Sequence, residues 1–225
     1  MPSAYGWDSA NNNPTHATHS YLTEMGINAL KSQYPELAEF QTELLAGANS
    51  ELHELTVSGT EYGVDLDAKR REHKGTNAGT DDIKGWWNDA AAAYAQGNKQ
   101  QAYFYVGVML HMIEDMGVPA HAQGLEHQAI PNFDNFEFMG LSNWRPDAGT
   151  PGDKADPAYA DPWRYYEFSR SWTLEDAPNY NDISAFSKTW TFANDDERML
   201  LSNRQLRTGL VVTWALSSAV KTLGL

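Results

Sequence analysis

The sequence has no cysteine, no long apolar run and few basic residues. The lack of cysteine excludes disulfide bonds and thiolate metal sites, which leaves imidazole, carboxylate and main-chain groups as metal ligands. No run approaches the roughly 18 apolar residues of a membrane-spanning helix. The chain has 16 lysines and arginines against 30 aspartates and glutamates, a formal charge of -14. This charge disfavours non-specific electrostatic binding to the phosphate backbone of nucleic acid.

The segment 110–121, LHMIEDMGVPAH, is the strongest functional signal in the chain. His111 and Asp115 are four residues apart, so a helix would present both side chains on one face. Pro119 predicts the end of this helix and a bend that returns His121 toward the same face. Two imidazoles and a carboxylate are therefore predicted to converge on a metal ion.

The residues around His111 and Asp115 predict a central buried helix, because they leave almost no polar stripe. Burying an ionised aspartate without a partner costs about several kcal/mol, a cost that proteins generally avoid, and a bound cation offsets it. The alternative is a hydrogen-bonded core pair, which is the usual role of an isolated HxxxD. The nearby His121 and further histidine and acidic candidates favour the metal site.

Helical periodicity along the chain predicts an all-α fold, a single-domain multi-helix bundle with a central buried helix that carries the predicted metal ligands. Residues 7–225 are expected to form this domain, and residues 1–6 to be an N-terminal remnant or tag. Loop-rich segments are predicted at 49–80, with a short helical turn at 51–55, and at 123–161, and no strand pair is expected. The predicted helices are 18–32 with Thr18 as N-cap, 35–44, 81–96, 98–117, 162–171, 181–190 and 195–222.

Short motifs along the first 137 residues resemble the bacterial zinc-dependent phospholipase C family, which is related to the fungal zinc-dependent single-strand nucleases. The resemblance implies three zinc ions in a cleft at the end of a helical bundle. The matching features, in chain order, are Trp7, Thr18-His19, Gly63-Val64-Asp65, Glu72-His73, the HxxxDMGVPAH motif of residues 111–121, and Glu137.

The resemblance also implies a ligand set for each zinc ion. One ion would be held by His111, His73, Asp65 and Asp115, and Asp115 would bridge to a second ion. The second ion would be bound by His19 and by the amino group and carbonyl of Trp7, provided that Trp7 is the processed N-terminus. The third ion would take His121, a further histidine and Glu137.

Several of these ligands have competitors in the sequence. His16 competes with His19, and Asp67 competes with Asp65. The family usually has a histidine four residues before the glutamate of the third site, where this chain has Phe133. His127 is the predicted replacement, with Asp134 as a second candidate and a solvent-exposed loop histidine as the alternative.

The implied activity is hydrolysis of phosphatidylcholine-type lipids to diacylglycerol and a phosphorylated head group. Zinc lowers the pKa of bound water toward about 7 and stabilises charge on a phosphate, and Asp65 is predicted to accept or orient the proton of the attacking water. A phospholipid substrate met at a peripheral membrane contact, no stable nucleic-acid partner and a monomer are expected. Ala4-Tyr5-Gly6 resembles the end of a secretory cleavage site, which predicts a secreted or periplasmic protein.

Two other functions compete with this prediction. A zinc-dependent single-strand nuclease would share the metal cage, although the 12-residue separation of Trp7 from His19 and the lack of cysteine favour the phospholipase type. A non-catalytic metal- or lipid-binding helical protein would fit if the third site has decayed, as Phe133 indicates. Assays on phosphatidylcholine vesicles and on denatured DNA would separate the three.

Overall fold

The fold is all-α, as the sequence predicts, in the part of the chain that the structure describes. The computed structural model describes residues 18–49, 55–57, 60–62, 79–125, 136, 154–177 and 195–224. Its helices are α1 (Thr18–Leu30), α2 (Glu36–Glu39), α3 (Gln41–Ala48), α4 (Gly79–Ala95), α5 (Lys99–Asp115), α6 (Pro119–Gln123), a 3₁₀ turn (Pro162–Arg164), α7 (Tyr165–Asp176) and α8 (Asp195–Leu223). Within those ranges, none of the helices is both long enough and apolar enough to span a bilayer.

Helix α5 is the centre of the bundle. It packs against α1, α3, α4, α7 and α8, and every residue from 106 to 115 is buried. This confirms the central buried helix that its unbroken apolar sequence predicts. His111 and Asp115 therefore lie in the interior of the protein, at the carboxyl end of this helix.

Local signals in the sequence define the two ends of α5. The side chain of Asn98 caps the first turn by accepting a hydrogen bond from the backbone N–H of Gln101, at 3.3 Å. After Asp115 the chain turns through an extended Val118, and Pro119 begins α6, as a proline at the first helical position should. The predicted bend after Asp115 is confirmed.

Helices α3 and α5 cross with their backbones in contact at Gly47 and Gly107. A Cβ atom added at Gly47 would lie 2.1 Å from the carbonyl oxygen of Phe104, and one added at Gly107 would lie 2.2 Å from that of Leu44. Only glycine fits at this crossing, because the obstructing atoms are backbone atoms that cannot rotate away. The crossing brings the carboxyl end of α3 against the face of α5 that carries His111.

One predicted helix is divided in the structure. The single helix predicted from Pro35 to Leu44 is divided into α2 and α3 at Phe40, whose ring stacks on Tyr103 with the centroids 4.9 Å apart. This stacking holds Phe40 against Tyr103 at the point where a single continuous helix would otherwise pass from α2 into α3. The predicted helix at 181–190 lies outside the described residues, as do residues 1–17.

The prediction that the loop-rich segment has no strand pair is wrong. Leu55, the last residue of the predicted helical turn at 51–55, lies in a strand, and residues 51–54 lie outside the described residues. Strand β1 (Leu55–Val57) pairs antiparallel with β2 (Thr60–Tyr62), and Leu55 lies opposite Tyr62. The sequence carried the signal, because β-branched and aromatic residues flank the dipeptide Ser58-Gly59, a pattern typical of a tight hairpin.

A polar cluster around Glu36 ties α2 to α4 and α5. One carboxylate oxygen accepts hydrogen bonds from the hydroxyls of Tyr94, at 3.0 Å, and Tyr103, at 3.1 Å, and the other accepts from Lys99 at 2.5 Å. Burial tends to raise the pKa of Glu36, but these three donors outweigh it and lower the pKa below its ordinary value of 4.5. Burial also raises the pKa of Tyr103, which therefore stays a donor.

Glu36→Gln is expected to lower the free energy of unfolding by about 1–2 kcal/mol at neutral pH, since the charged acceptor is lost. Because the folded-state pKa of Glu36 lies below 4.5, its contribution is fully present above that value and is lost as the pH falls through the folded-state pKa. Chemical denaturation of both proteins at pH 7 and at about pH 3 should show the difference shrinking in acid. An equal difference at both pH values would contradict this account.

Candidate metal centre

Three potential metal ligands meet in the interior of the bundle. His19 comes from the first turn of α1, and His111 and Asp115 come from the last two turns of α5. One ligand atom from each lies within 4.8 Å of the others, and the three residues are at most 2% exposed. The group could hold a metal ion. The prediction that His111 and Asp115 share one face is confirmed, and His19 joins them.

The carboxylate of Asp115 lies between the two imidazoles. Its Oδ2 atom is 3.3 Å from Nε2 of His111, and its Oδ1 atom is 3.4 Å from Nε2 of His19. These separations exceed the about 2.7–3.2 Å of an ordinary N–H···O hydrogen bond. Two ligands each about 2.0–2.1 Å from a tetrahedral zinc ion lie about 3.3 Å apart. The spacing of these atoms therefore fits ligands around a small cation.

The second nitrogen of His111 is held by the main chain. Its Nδ1 atom lies 2.7 Å from the carbonyl oxygen of Ala48, at the carboxyl end of α3. A carbonyl can only accept, so Nδ1 carries the hydrogen, and a neutral ring would present its Nε2 lone pair to the side of Asp115. This is the tautomer that a metal-binding histidine needs, with its outer nitrogen fixed by a hydrogen bond.

The second nitrogen of His19 is held by a carboxyl group. Its Nδ1 atom lies 2.7 Å from Oε2 of Glu114, and Oε1 of Glu114 accepts a hydrogen bond of 2.7 Å from the hydroxyl of Thr23. When Glu114 is ionised and accepts from Nδ1, Nε2 of His19 is left as the ligating atom. Both histidines thus direct Nε2 toward Asp115, and the Nδ1 atom of each is held by a hydrogen bond on the opposite side of the ring.

The rings of His19 and His111 are stacked, with centroids 4.2 Å apart and planes inclined by 23°. The stack brings both Nε2 atoms to the carboxylate of Asp115, at 3.4 and 3.3 Å. Neutral imidazole is the form that binds metals.

Glu114 is fully buried in this region. Burial raises its pKa well above the usual range, the nearby charge of Asp115 raises it further, and the hydrogen bond from Thr23 lowers it in part. A divalent cation bound to His19 would oppose the first two effects, because an opposite charge nearby favours the ionised carboxylate. Binding of a metal ion at His19 would therefore favour loss of the proton from Glu114.

The turn that follows Asp115 is fixed by α7 and α8. Thr173 donates a hydrogen bond of 2.5 Å to the carbonyl oxygen of Met116, and Arg204 donates one of 3.3 Å to that of Gly117. The buried guanidinium of Arg204 is also paired with Asp176. These bonds satisfy carbonyl groups of the turn that directly follows α5.

Of the other predicted ligands, His121 lies among the described residues, and it is not one of the three residues of this group. His121 is buried on α6, but His19 is the second histidine within reach of Asp115 among the described residues. Since α6 is a separate helix that begins beyond the extended Val118, the bend does not add His121 to the group. The remaining predicted ligands and their competitors lie outside the described residues: Trp7, His16, Asp65, Asp67, His73, His127, Asp134 and Glu137.

Sequence reasoning missed the residues that support the ligands. Glu114 stood in the motif beside Asp115, and Thr23 follows His19 by four residues and so shares its helix face. With His19 placed beside α5, the positions of Glu114 and Thr23 in the sequence would have indicated that both lie next to it. The carbonyl group of Ala48 has no sequence signal, because every residue carries one and only the helix crossing selects it.

No protein-family model matches this chain, and no curated protein matches it either.

Proposed function

We propose that this protein is a zinc-dependent phosphodiester hydrolase, of the phospholipase C type, that cleaves phosphatidylcholine-type lipids. The observation that carries the proposal is the placement of Asp115 between the Nε2 atoms of His19 and His111, at 3.4 and 3.3 Å. One carboxylate oxygen faces each ring, which is the arrangement expected of a carboxylate that bridges two ions. It agrees with the bridging role that the motif resemblance implies for Asp115.

The donor set supports zinc as the metal. Two imidazole nitrogens and a carboxylate suit zinc, and a chain without cysteine offers no thiolate for a closed structural site. Catalytic zinc sites commonly have three protein ligands and keep one position for water or substrate. The proposal extends to up to three zinc ions, with Trp7, Asp65, His73, His121, His127 and Glu137 as the further ligands.

In the proposed reaction a water molecule attacks phosphorus, and the bond from phosphorus to the diacylglycerol oxygen breaks. Bound zinc supplies charge stabilisation for the phosphate oxygens and a lowered pKa for water. The chain contributes Asp65, which accepts or orients the proton of the attacking water, and a buried centre in which His19, His111 and Asp115 are already oriented. The products are diacylglycerol and the phosphorylated head group, without a covalent enzyme intermediate.

Chelation provides the test of this proposal. Release of diacylglycerol from phosphatidylcholine vesicles should stop when a zinc chelator is added and return when zinc is restored. Neutral vesicles are the appropriate probe, because a formal charge of -14 disfavours binding to anionic bilayers. Turnover that resists the chelator would contradict the proposal.

A parallel assay on denatured DNA separates the competing functions. Cleavage of DNA with no release of diacylglycerol would replace the phospholipase by a single-strand nuclease that uses the same centre. Zinc bound by the protein without turnover of either substrate would indicate a non-catalytic metal- or lipid-binding protein.

A further inference from the structure

Glu114 is a buried carboxyl group in contact with a proposed metal ligand, although it is not itself one of the three ligands. We propose that Glu114, held by Thr23, is a positioning residue that orients His19 and strengthens its bond to the metal. The inference rests on the proposed metal centre, and it concerns metal affinity, so it can be tested whether or not the protein hydrolyses a lipid.

Two hydrogen bonds fix the carboxyl group of Glu114. Its Oε2 atom lies 2.7 Å from Nδ1 of His19, and its Oε1 atom accepts from the hydroxyl of Thr23 at 2.7 Å. His19 and Thr23 are four residues apart and both are buried on α1. The carboxyl plane therefore cannot rotate without breaking one of the bonds, and the ring of His19 is oriented with it.

Successive residues of α5 contact opposite edges of one imidazole. Glu114 contacts Nδ1 of His19, and Asp115 lies 3.4 Å from its Nε2 atom. A carboxylate that accepts the Nδ1 proton makes Nε2 a stronger donor to a metal, and such outer partners typically contribute about 10- to 100-fold to metal affinity. His111 has a neutral partner instead, the carbonyl of Ala48. The two histidines are thus expected to bind the metal unequally.

The competing explanation is that Glu114, His19 and Thr23 form a network that only holds α1 against α5. In that case, substitutions would lower the free energy of unfolding of the metal-free protein. They would leave the affinity of the folded protein for metal unchanged. Metal affinity measured on folded protein is therefore the readout that separates the two roles.

The experiment uses the full chain with Glu114→Gln, Thr23→Val and Thr23→Ser. Thr208→Val is the matched control, because Thr208 is also fully buried but its hydroxyl donates to the carbonyl of Arg204 in its own helix, at 2.6 Å. Zn²⁺ affinity is measured by competition with a chromophoric chelator, and the visible absorption of bound Co²⁺ reports the geometry of the site. Circular dichroism establishes that each variant is folded.

Glu114→Gln is expected to weaken Zn²⁺ binding about 10-fold and Thr23→Val about fivefold, with a changed Co²⁺ spectrum in both. Thr23→Ser, which keeps the hydroxyl, and Thr208→Val should bind as the unmodified protein does. Zn²⁺ affinities within twofold of that protein for both Glu114→Gln and Thr23→Val would overturn the inference. If Glu114→Gln does not fold, the comparison of Thr23→Val with Thr208→Val decides.

The possible failures are distinguishable. An unmodified protein that binds Zn²⁺ but hydrolyses no phosphodiester would contradict the proposed function and leave the role of Glu114 open to this test. Unchanged affinity in the variants would contradict the role of Glu114 and leave the hydrolase proposal standing. An unmodified protein that binds neither Zn²⁺ nor Co²⁺ would overturn both.

Discussion

Asp115→Asn is expected to abolish the proposed high-affinity zinc binding and to lower kcat/KM of the proposed phosphatidylcholine hydrolysis by at least about 10³-fold, or about 4 kcal/mol of transition-state stabilisation. Asparagine has the same shape as aspartate, but it lacks the negative charge that attracts the ion. Its amide group would also face an imidazole Nε2 atom at 3.3 or 3.4 Å, where it can donate to the lone pair that the metal requires.

The same substitution should leave the metal-free protein folded, because it removes a buried charge without changing the packing. Its thermal midpoint without zinc should equal or exceed that of the unmodified protein, while the increase in midpoint on adding zinc should disappear. Asp89→Asn is the matched control, since Asp89 is exposed on α4. A variant at Asp115 that retains zinc and turnover would contradict the assignment.

Gly107→Ala is expected to lower the free energy of unfolding by about 3 kcal/mol or more, with a fall of about 10 °C in the thermal midpoint. The new Cβ atom would lie 2.2 Å from the carbonyl oxygen of Leu44 and 2.9 Å from both Ala48 N and Gly47 Cα. Relief requires α3 and α5 to move apart. That movement would also draw the Ala48 carbonyl away from His111, so zinc affinity should fall with stability.

Gly85→Ala is the control for this prediction. Gly85 lies within α4, and a Cβ atom there would meet nothing within 4 Å. Alanine is favoured over glycine inside a helix by about 0.8–1 kcal/mol, so this variant should be slightly more stable than the unmodified protein. Equal thermal midpoints for the two alanine variants would contradict the close helix crossing.

The sequence predicted the parts of this fold that depend on local patterns. The apolar residues around His111 and Asp115 predicted a helix buried on all sides, and the spacing of the pair predicted a shared face. Pro119 predicted the bend, and the repeat of apolar residues after Asp195 predicted the long last helix. Each of these features is determined within one or two helical turns of the residues that encode it.

Features that depend on contacts between distant segments were not predictable in the same way. Phe40 divides α2 from α3 because its ring stacks on Tyr103, which lies on another helix. The two histidines acquire their Nδ1 partners only when α1 and α3 pack on α5. The motif resemblance placed His19 near Asp115, but Glu114 and the Ala48 carbonyl needed the structure.

The most direct test of the metal centre is a crystal of the full chain grown with excess zinc and measured at the zinc absorption edge. The account predicts anomalous density about 2.0–2.2 Å from Nε2 of His111 and from the carboxylate of Asp115, with His19 also bound through Nε2. The absence of such density, with these three side chains directed away from one another, would contradict the metal centre and the hydrolase proposal that depends on it.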